Sequence, residues 1–164
     1  FWVTNGRINE IWQSAFDDRR RPYIMQRWPE SWVEIHPQDA DRYGIESGDR
    51  VRIASDDVLV QVGGFVAVDD DDLSYTKLQE AGLIEIGNGE TEGIAIVTDA
   101  VRPGLLFTNF LETGSPSNSL VHRVPDPITN RYRFKLGKGK IRKLGESRWK
   151  KDLSKMTFAP RAIV

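Results

Sequence analysis

The chain contains no cysteine. It therefore forms no disulfide, builds no zinc finger and ligates no iron–sulfur cluster from its own side chains. Histidine is almost as scarce, with His36 and His122 the only 2 in 164 residues, so a closed protein-ligated metal site would need carboxylates to complete it. Apolar runs are short and strand-like, well below the roughly twenty residues of a membrane-spanning helix, so no membrane insertion is expected. Neither G-x-G-x-x-G nor G-x-x-x-x-G-K-[ST] occurs, which removes the Rossmann and P-loop readings. A nucleophile elbow is also missing. Ser115, Ser117 and Ser119 crowd a turn-like stretch, so a serine hydrolase is a weak reading.

Strong net charge is the last absence: 23 Lys and Arg against 24 Asp and Glu leave −1. The two signs are nevertheless segregated. Acid dominates Asp56 to Glu92, including Asp69 to Asp72, a run that reads as a solvated face and lacks the glycine and distal glutamate of a calcium loop. Base dominates Arg131 to Lys151 without regular aromatic interleaving. A phosphate-bearing cofactor or a neighbouring domain suits that stretch better than nucleic acid.

What is present is β pattern. At 39% hydrophobic and 29% charged, one globular domain spanning residues 1–164 is expected. Val33 to His36 reads as a strand, Pro37 to Tyr43 as a short helix ended by a left-handed Gly44, and Ser47-Gly48 as a tight turn. Arg50 to Ile53 and Val58 to Val62 read as two further strands, and Leu73 to Ala81 as a short helix ending at Gly82. Gly93 to Thr98 and Leu105 to Phe110 are strands joined through Pro103-Gly104, a pair suited to the centre of a type II turn. Tyr132, Phe134 and Leu136 recur in period two. Short strands, glycine punctuation and few helices argue for a closed barrel, with Val51, Ile53, Val60, Val62, Ile94, Ile96, Leu106 and Phe107 or their neighbours in its core.

The first thirteen residues carry the clearest functional signal. A short apolar strand runs into Thr4, Asn5, Arg7, Asn9, Glu10 and Gln13, planar and polar side chains grouped around Gly6, a ligand-facing composition. Its bland alternative is a strand end, a turn and a buried Trp12 with polar neighbours. Arg102 reads as a surface turn charge, Asn118 on its own as a turn residue, and His122 as structural or exposed.

Four blocks in order then carry a family resemblance. Thr4-Asn-Gly-Arg-Ile-Asn-Glu-Ile-Trp12 resembles the T-x-G-R-x-x-x-x-W opening of the C-terminal molybdopterin-dinucleotide-binding domain of the dimethyl sulfoxide reductase family. Ile35 to Val51 is similar to its P-x-D-A-x-x-x-G-I-x-x-G-D-x-V block, and Gly93 to Gly104 to a strand ending in R-P-G. Ser117-Asn-Ser-Leu120, with Tyr132-Arg-Phe-Lys135 after it, resembles its N-x-L and late aromatic-Lys elements. Within the family, Trp12 to Pro29 and Val124 to Gly137 look most like the arsenite oxidase large subunit.

The resemblance implies a mainly β fold, a double-psi β-barrel with short helical insertions. It implies molybdopterin guanine dinucleotide as cofactor, its molybdenum held by pterin dithiolenes and bound by no residue of this chain. The cofactor would be lined by Asn5, Gly6, Arg7, Asn9, Trp12, Gln13, Asn118, Tyr132, Arg133 and Lys135, none of them catalytic. A chain opening at Phe1 without Met is then expected to be the C-terminal piece of a larger subunit. Its iron–sulfur cluster and substrate pocket would lie upstream, its partners would be those upstream domains and a Rieske-type iron–sulfur small subunit, and its location would be the periplasm. The parent would oxidise arsenite to arsenate, and the isolated chain would not. A free-standing binding module, and a relative acting on nitrate, formate or a sulfoxide, are the competing expectations; a ligand-free structural barrel is the third. Replacing Arg7 or Asn118 is expected to weaken cofactor binding without unfolding the domain.

Overall fold

Period-two patterning becomes seven strands. The computed structural model describes residues 1–8, 20–22, 29–64, 75–109, 116–126, 129, 131–132 and 135–153. They form β1 (Trp2–Gly6), β2 (Trp32–Ile35), helix α1 (Pro37–Tyr43), β3 (Asp49–Gln61), helix α2 (Tyr75–Glu80), β4 (Ile84–Val97), β5 (Leu105–Asn109), a 3-10 turn (Ser117–Leu120), β6 (Gly137–Lys138) and β7 (Lys140–Glu146).

All seven strands share one sheet in the order β6-β1-β5-β2-β4-β3-β7. Its edge strands β6 and β7 are separated in sequence by Gly139 alone, so the sheet must curl until its edges approach each other. The pairs β1/β5 and β2/β4 are parallel and the other pairs antiparallel. Parallel neighbours cannot be joined by a hairpin and need crossover connections, as the expected barrel requires. The mainly β barrel class with short helical insertions is what forms. Among the described residues no helix is long and apolar enough to cross a membrane.

Local chemistry sets the connections. Helix α1 starts at Pro37, where the His36 ring nitrogen Nδ1 accepts the Gln38 amide at 3.2 Å, and ends at Gly44 with φ 62°. Pro103-Gly104 makes the expected turn: the Leu105 amide donates to the Arg102 carbonyl at 3.1 Å, with Gly104 at φ 80°.

Three expectations change. Arg50 to Ile53 and Val58 to Val62 belong to one strand, β3, whose register shifts between Ser55 and Val58. Strand β7 pairs with β3 only as far as Ala54, and beyond the shift β3 keeps β4 on one side and bridges in parallel to Arg123 on the other, Val60 opposite Arg123. Val51, Ile53, Ile94 and Leu106 are fully buried and Ile96 nearly so, whereas Val60 is half-buried and Val62, past the strand's end, is 51% exposed. Val58 takes the core position in their place. Phe107 is half-buried because it points to the outer face, opposite Leu106. Around Tyr132, the expected period-two strand is a single bridge to Pro125; Tyr132 and Leu136 are exposed, and continuous pairing starts at Gly137. Phe134, Phe110, Leu73 and the four aspartates lie outside the described residues.

The segregated charges meet across the β3/β7 seam. Lys138 pairs with Asp57 at 3.1 Å, Lys140 with Asp56 at 3.0 Å and Lys143 with Asp49 at 2.7 Å; Lys150 reaches both Glu46 at 2.6 Å and Asp49 at 2.9 Å. Asp49 is fully buried. Burial opposes its ionisation, but the Lys143 ammonium, the Glu46 amide and Lys150 together outweigh it and hold the carboxyl below its ordinary range. Much of the basic stretch is thus neutralised by acid of the same chain, as electrostatic glue between sequence-distant strands.

Candidate functional site

Strands β1 and β5 run side by side in parallel, with Asn5 opposite Thr108 and Gly6 opposite Asn109. Alternation sends Val3 and Asn5 inward and Trp2 and Thr4 outward. Asn5, expected in a turn, thus lies within β1 and is 2% exposed. Its side-chain Nδ2 donates to Asn118 Oδ1 at 2.9 Å, across a sequence separation of 113 residues. The Lys135 ammonium donates to the Asn5 backbone carbonyl at 3.4 Å. Three sequence-expected residues therefore meet at one end of the barrel.

Close backbone approach positions the turn that carries Asn118. A Cβ on Gly89 of β4 would collide with the Ser119 carbonyl, and one on Gly137 of β6 with the Leu120 carbonyl. The Ser119 hydroxyl also donates to the Glu90 carbonyl. These two glycines are positioning residues that the sequence reading missed. In sequence they look like ordinary strand glycines, whose usual reading is a bulge or a close approach to something unspecified.

Arg7 goes elsewhere. Just past the end of β1, it is exposed and lines an outer-face cleft of about 580 Å³ with Thr4, Trp32, Glu34, Arg102 and Phe107. The expected single site is thus divided between an inward crevice at Asn5 and Asn118, with the Lys135 ammonium on the Asn5 carbonyl, and an outward, arginine-bearing cleft. Gly6 also differs from expectation, since its missing side chain makes room for the Phe107 ring, 2.7 Å from where a Cβ would stand. Arg102, read in sequence as a turn charge, joins Arg7 because β1 and β5 are neighbours. Neither arginine pairs with an acidic group among the described residues. Glu34 accepts the Trp32 indole N–H at 3.2 Å. Its burial pushes the carboxyl above its ordinary range, with the Trp32 hydrogen bond opposing. Two guanidinium groups without acidic partners among the described residues leave the cleft suited to an anion.

The other expected residues are less informative. Tyr132 is exposed beside Pro125. Asn9, Trp12, Gln13 and Arg133 lie outside the described residues. His122 is structural, its Nδ1 accepting the Leu59 amide at 3.0 Å. Among the described residues no group of three or more His, Asp or Glu is placed to hold a metal ion.

The sequence is similar to known molybdoenzyme subunits. Residues 1–63 match the molydopterin dinucleotide binding domain family. The iodate reductase subunit IdrA of Pseudomonas sp. (strain SCT) is 50% identical over 163 residues, 99% of this chain and 18% of that protein. IdrA of Denitromonas iodatirespirans is 48% identical over the same shares. The arsenite oxidase subunit AioA of Herminiimonas arsenicoxydans is 41% identical over 56 residues, 34% of this chain and 7% of that protein. The chain spans less than a fifth of the length of the iodate reductase subunits it matches.

Proposed function

From a chain that belongs to the molybdopterin-dinucleotide-binding domains of the dimethyl sulfoxide reductase family, we propose a division of labour for its site. The inward crevice of Asn5, Asn118 and Lys135 holds the pterin part of molybdopterin guanine dinucleotide, and the outer cleft of Arg7 and Arg102 holds phosphate. The observation that carries this reading is the Asn5–Asn118 hydrogen bond, which brings two sequence-distant candidate residues together, Asn5 buried in β1 and Asn118 exposed on the 3-10 turn. The donor set suits the group. Asn5 Oδ1 is buried without a hydrogen-bond partner among the described residues, an acceptor ready for a ring N–H, and guanidinium groups match phosphate oxygens. When bound, the molybdenum-bearing cofactor supplies the two-electron redox chemistry. This chain's residues bind and orient it.

The parent enzyme is proposed to act on an inorganic oxyanion, with iodate reduction the first reading. Support comes from two IdrA subunits that match 99% of the chain. The arsenite oxidation expected from sequence is the second reading, supported by the AioA match over 34% of the chain. Both relatives are subunits by name, which supports a parent that assembles with further chains; a Rieske-type subunit and a periplasmic location remain part of the proposal on family resemblance. The test is molybdenum and pterin content of the intact polypeptide, with dye-linked turnover of iodate and of arsenite measured separately. Stoichiometric cofactor and iodate turnover are expected. Protein purified without pterin overturns the cofactor reading, and turnover of arsenite alone reverses the substrate order.

A further inference from the structure

Four buried side-chain oxygens have no hydrogen-bond partner among the described residues: Asn5 Oδ1, Ser31 Oγ, Thr108 Oγ1 and Ser117 Oγ. Their residues are 2%, 4%, 1% and 3% exposed respectively. Folded proteins pair nearly all such groups, because an unpaired one keeps the whole cost of its lost hydration. Register places them together. Thr108 is opposite Asn5 on β1 and opposite Val33 on β2. Ser31, buried, directly precedes β2 at the end where Val33 lies opposite Thr108. Ser117 adjoins Asn118, which is bonded to Asn5. The C-terminal ends of β1 and β5, the approach to β2 and the 3-10 turn thus bring four unsatisfied oxygens to one mouth of the barrel.

We infer that Ser31, Thr108 and Ser117 are ligand-binding residues which, with Asn5, read the N–H-bearing edge of a planar heterocycle. Resting on the dinucleotide reading above, this assigns them to the pterin. The chemistry is specific: one carboxamide oxygen accepts, three hydroxyls either donate or accept, and none of the four groups is charged. An anionic oxygen would face the Asn5 oxygen unfavourably, and the one cation the described residues place beside it, the Lys135 ammonium, is engaged with the Asn5 carbonyl, so these four oxygens suit N–H groups better than phosphate. A ring edge carrying amino and amide N–H groups supplies what all four lack.

The test replaces each hydroxyl in the intact polypeptide, as Thr108→Val, Ser31→Ala and Ser117→Ala, with Thr108→Ser as the conservative control. Two quantities are read: the rate of pterin release on dilution, and the melting temperature of the cofactor-free protein. Thr108→Val and Ser117→Ala are expected to release pterin about fivefold faster, the effect of one neutral hydrogen bond. The melting temperature of the cofactor-free protein should stay level or rise, because a buried unpaired hydroxyl has gone, and Thr108→Ser should restore retention. Unchanged release in all three variants, whatever the melting temperature does, overturns the assignment while leaving the dinucleotide reading intact. Wild-type protein that contains no pterin overturns both.

Discussion

Asn118→Ala removes the side-chain hydrogen bond that ties the 3-10 turn to β1 at the candidate site. In the native barrel Asn5 is 2% exposed, and its carboxamide Nδ2 donates to Asn118 Oδ1 at 2.9 Å. Truncating Asn118 leaves that carboxamide buried with no partner among the described residues, a cost of about 1–3 kcal/mol. Sequence reasoning, treating Asn118 as a ligand contact only, expected no loss of stability. The structure predicts one, alongside weaker cofactor binding. Urea unfolding of the 164-residue chain is the assay. With a slope of roughly 1–3 kcal/mol per molar urea, the midpoint should fall by about 1 M. Asn5→Ala removes the other partner, so the double variant Asn5→Ala/Asn118→Ala should be little less stable than Asn5→Ala alone. Strict additivity of the two single losses would refute the bond and, with it, the claim that both residues share one site.

Arg7→Ala should behave oppositely to Asn118→Ala: Arg7 is exposed and without an acidic partner among the described residues, so the melting temperature should not move while dinucleotide affinity falls by about 1.5–3 kcal/mol, as equilibrium binding would reveal. Asp49→Asn strands Lys143 and Lys150 around a buried neutral group and should cost about 3 kcal/mol in chemical unfolding. Asp49 and Glu92 both titrate below their ordinary values of 3.8 and 4.5. The stability they give is therefore complete above those values and lost as pH falls below them, and Asp49→Asn should flatten that acid limb of the melting curve. Glu34 has the opposite sign, its folded value lying above 4.5. Its charge costs stability above the folded value, so Glu34→Gln should melt higher than wild type at pH 7, with the difference closing as pH approaches 4; an equal or lower midpoint at pH 7 would contradict its desolvation. Gly89→Ala should lower stability and cofactor retention together, because the Asn118 turn must then shift; retention equal to wild type in a stably folded variant would count against that positioning role.

Local information was legible from sequence because its causes are local. Pro37 and Gly44 bound α1, Pro103-Gly104 turns the chain, and Ile53, Ile94 and Leu106 enter the core, as one-residue chemistry and period-two alternation require. The composition of the first block marked it as the candidate binding segment. Long-range pairing was not legible. Whether Val62 lies inside depended on where β7 stops pairing with β3, and whether Arg102 mattered depended on β5 lying beside β1. Ser31, Thr108 and Ser117 carry no signal in a one-dimensional string, since a hydroxyl in a strand or turn is ordinary until its neighbours fail to satisfy it.

The sequence by itself determined a mainly β chain, a turn-rich barrel and a polar, cofactor-like opening segment, because strand period, turn residues and side-chain chemistry are properties of neighbours in the chain. Tertiary structure alone decided that Asn5 faces inward to Asn118 while Arg7 turns outward to Arg102, and that four buried oxygens lack partners among the described residues. Those outcomes follow from strand order and register, where one step along a strand reverses the face a side chain presents, and they are fixed only when strands distant in sequence pair.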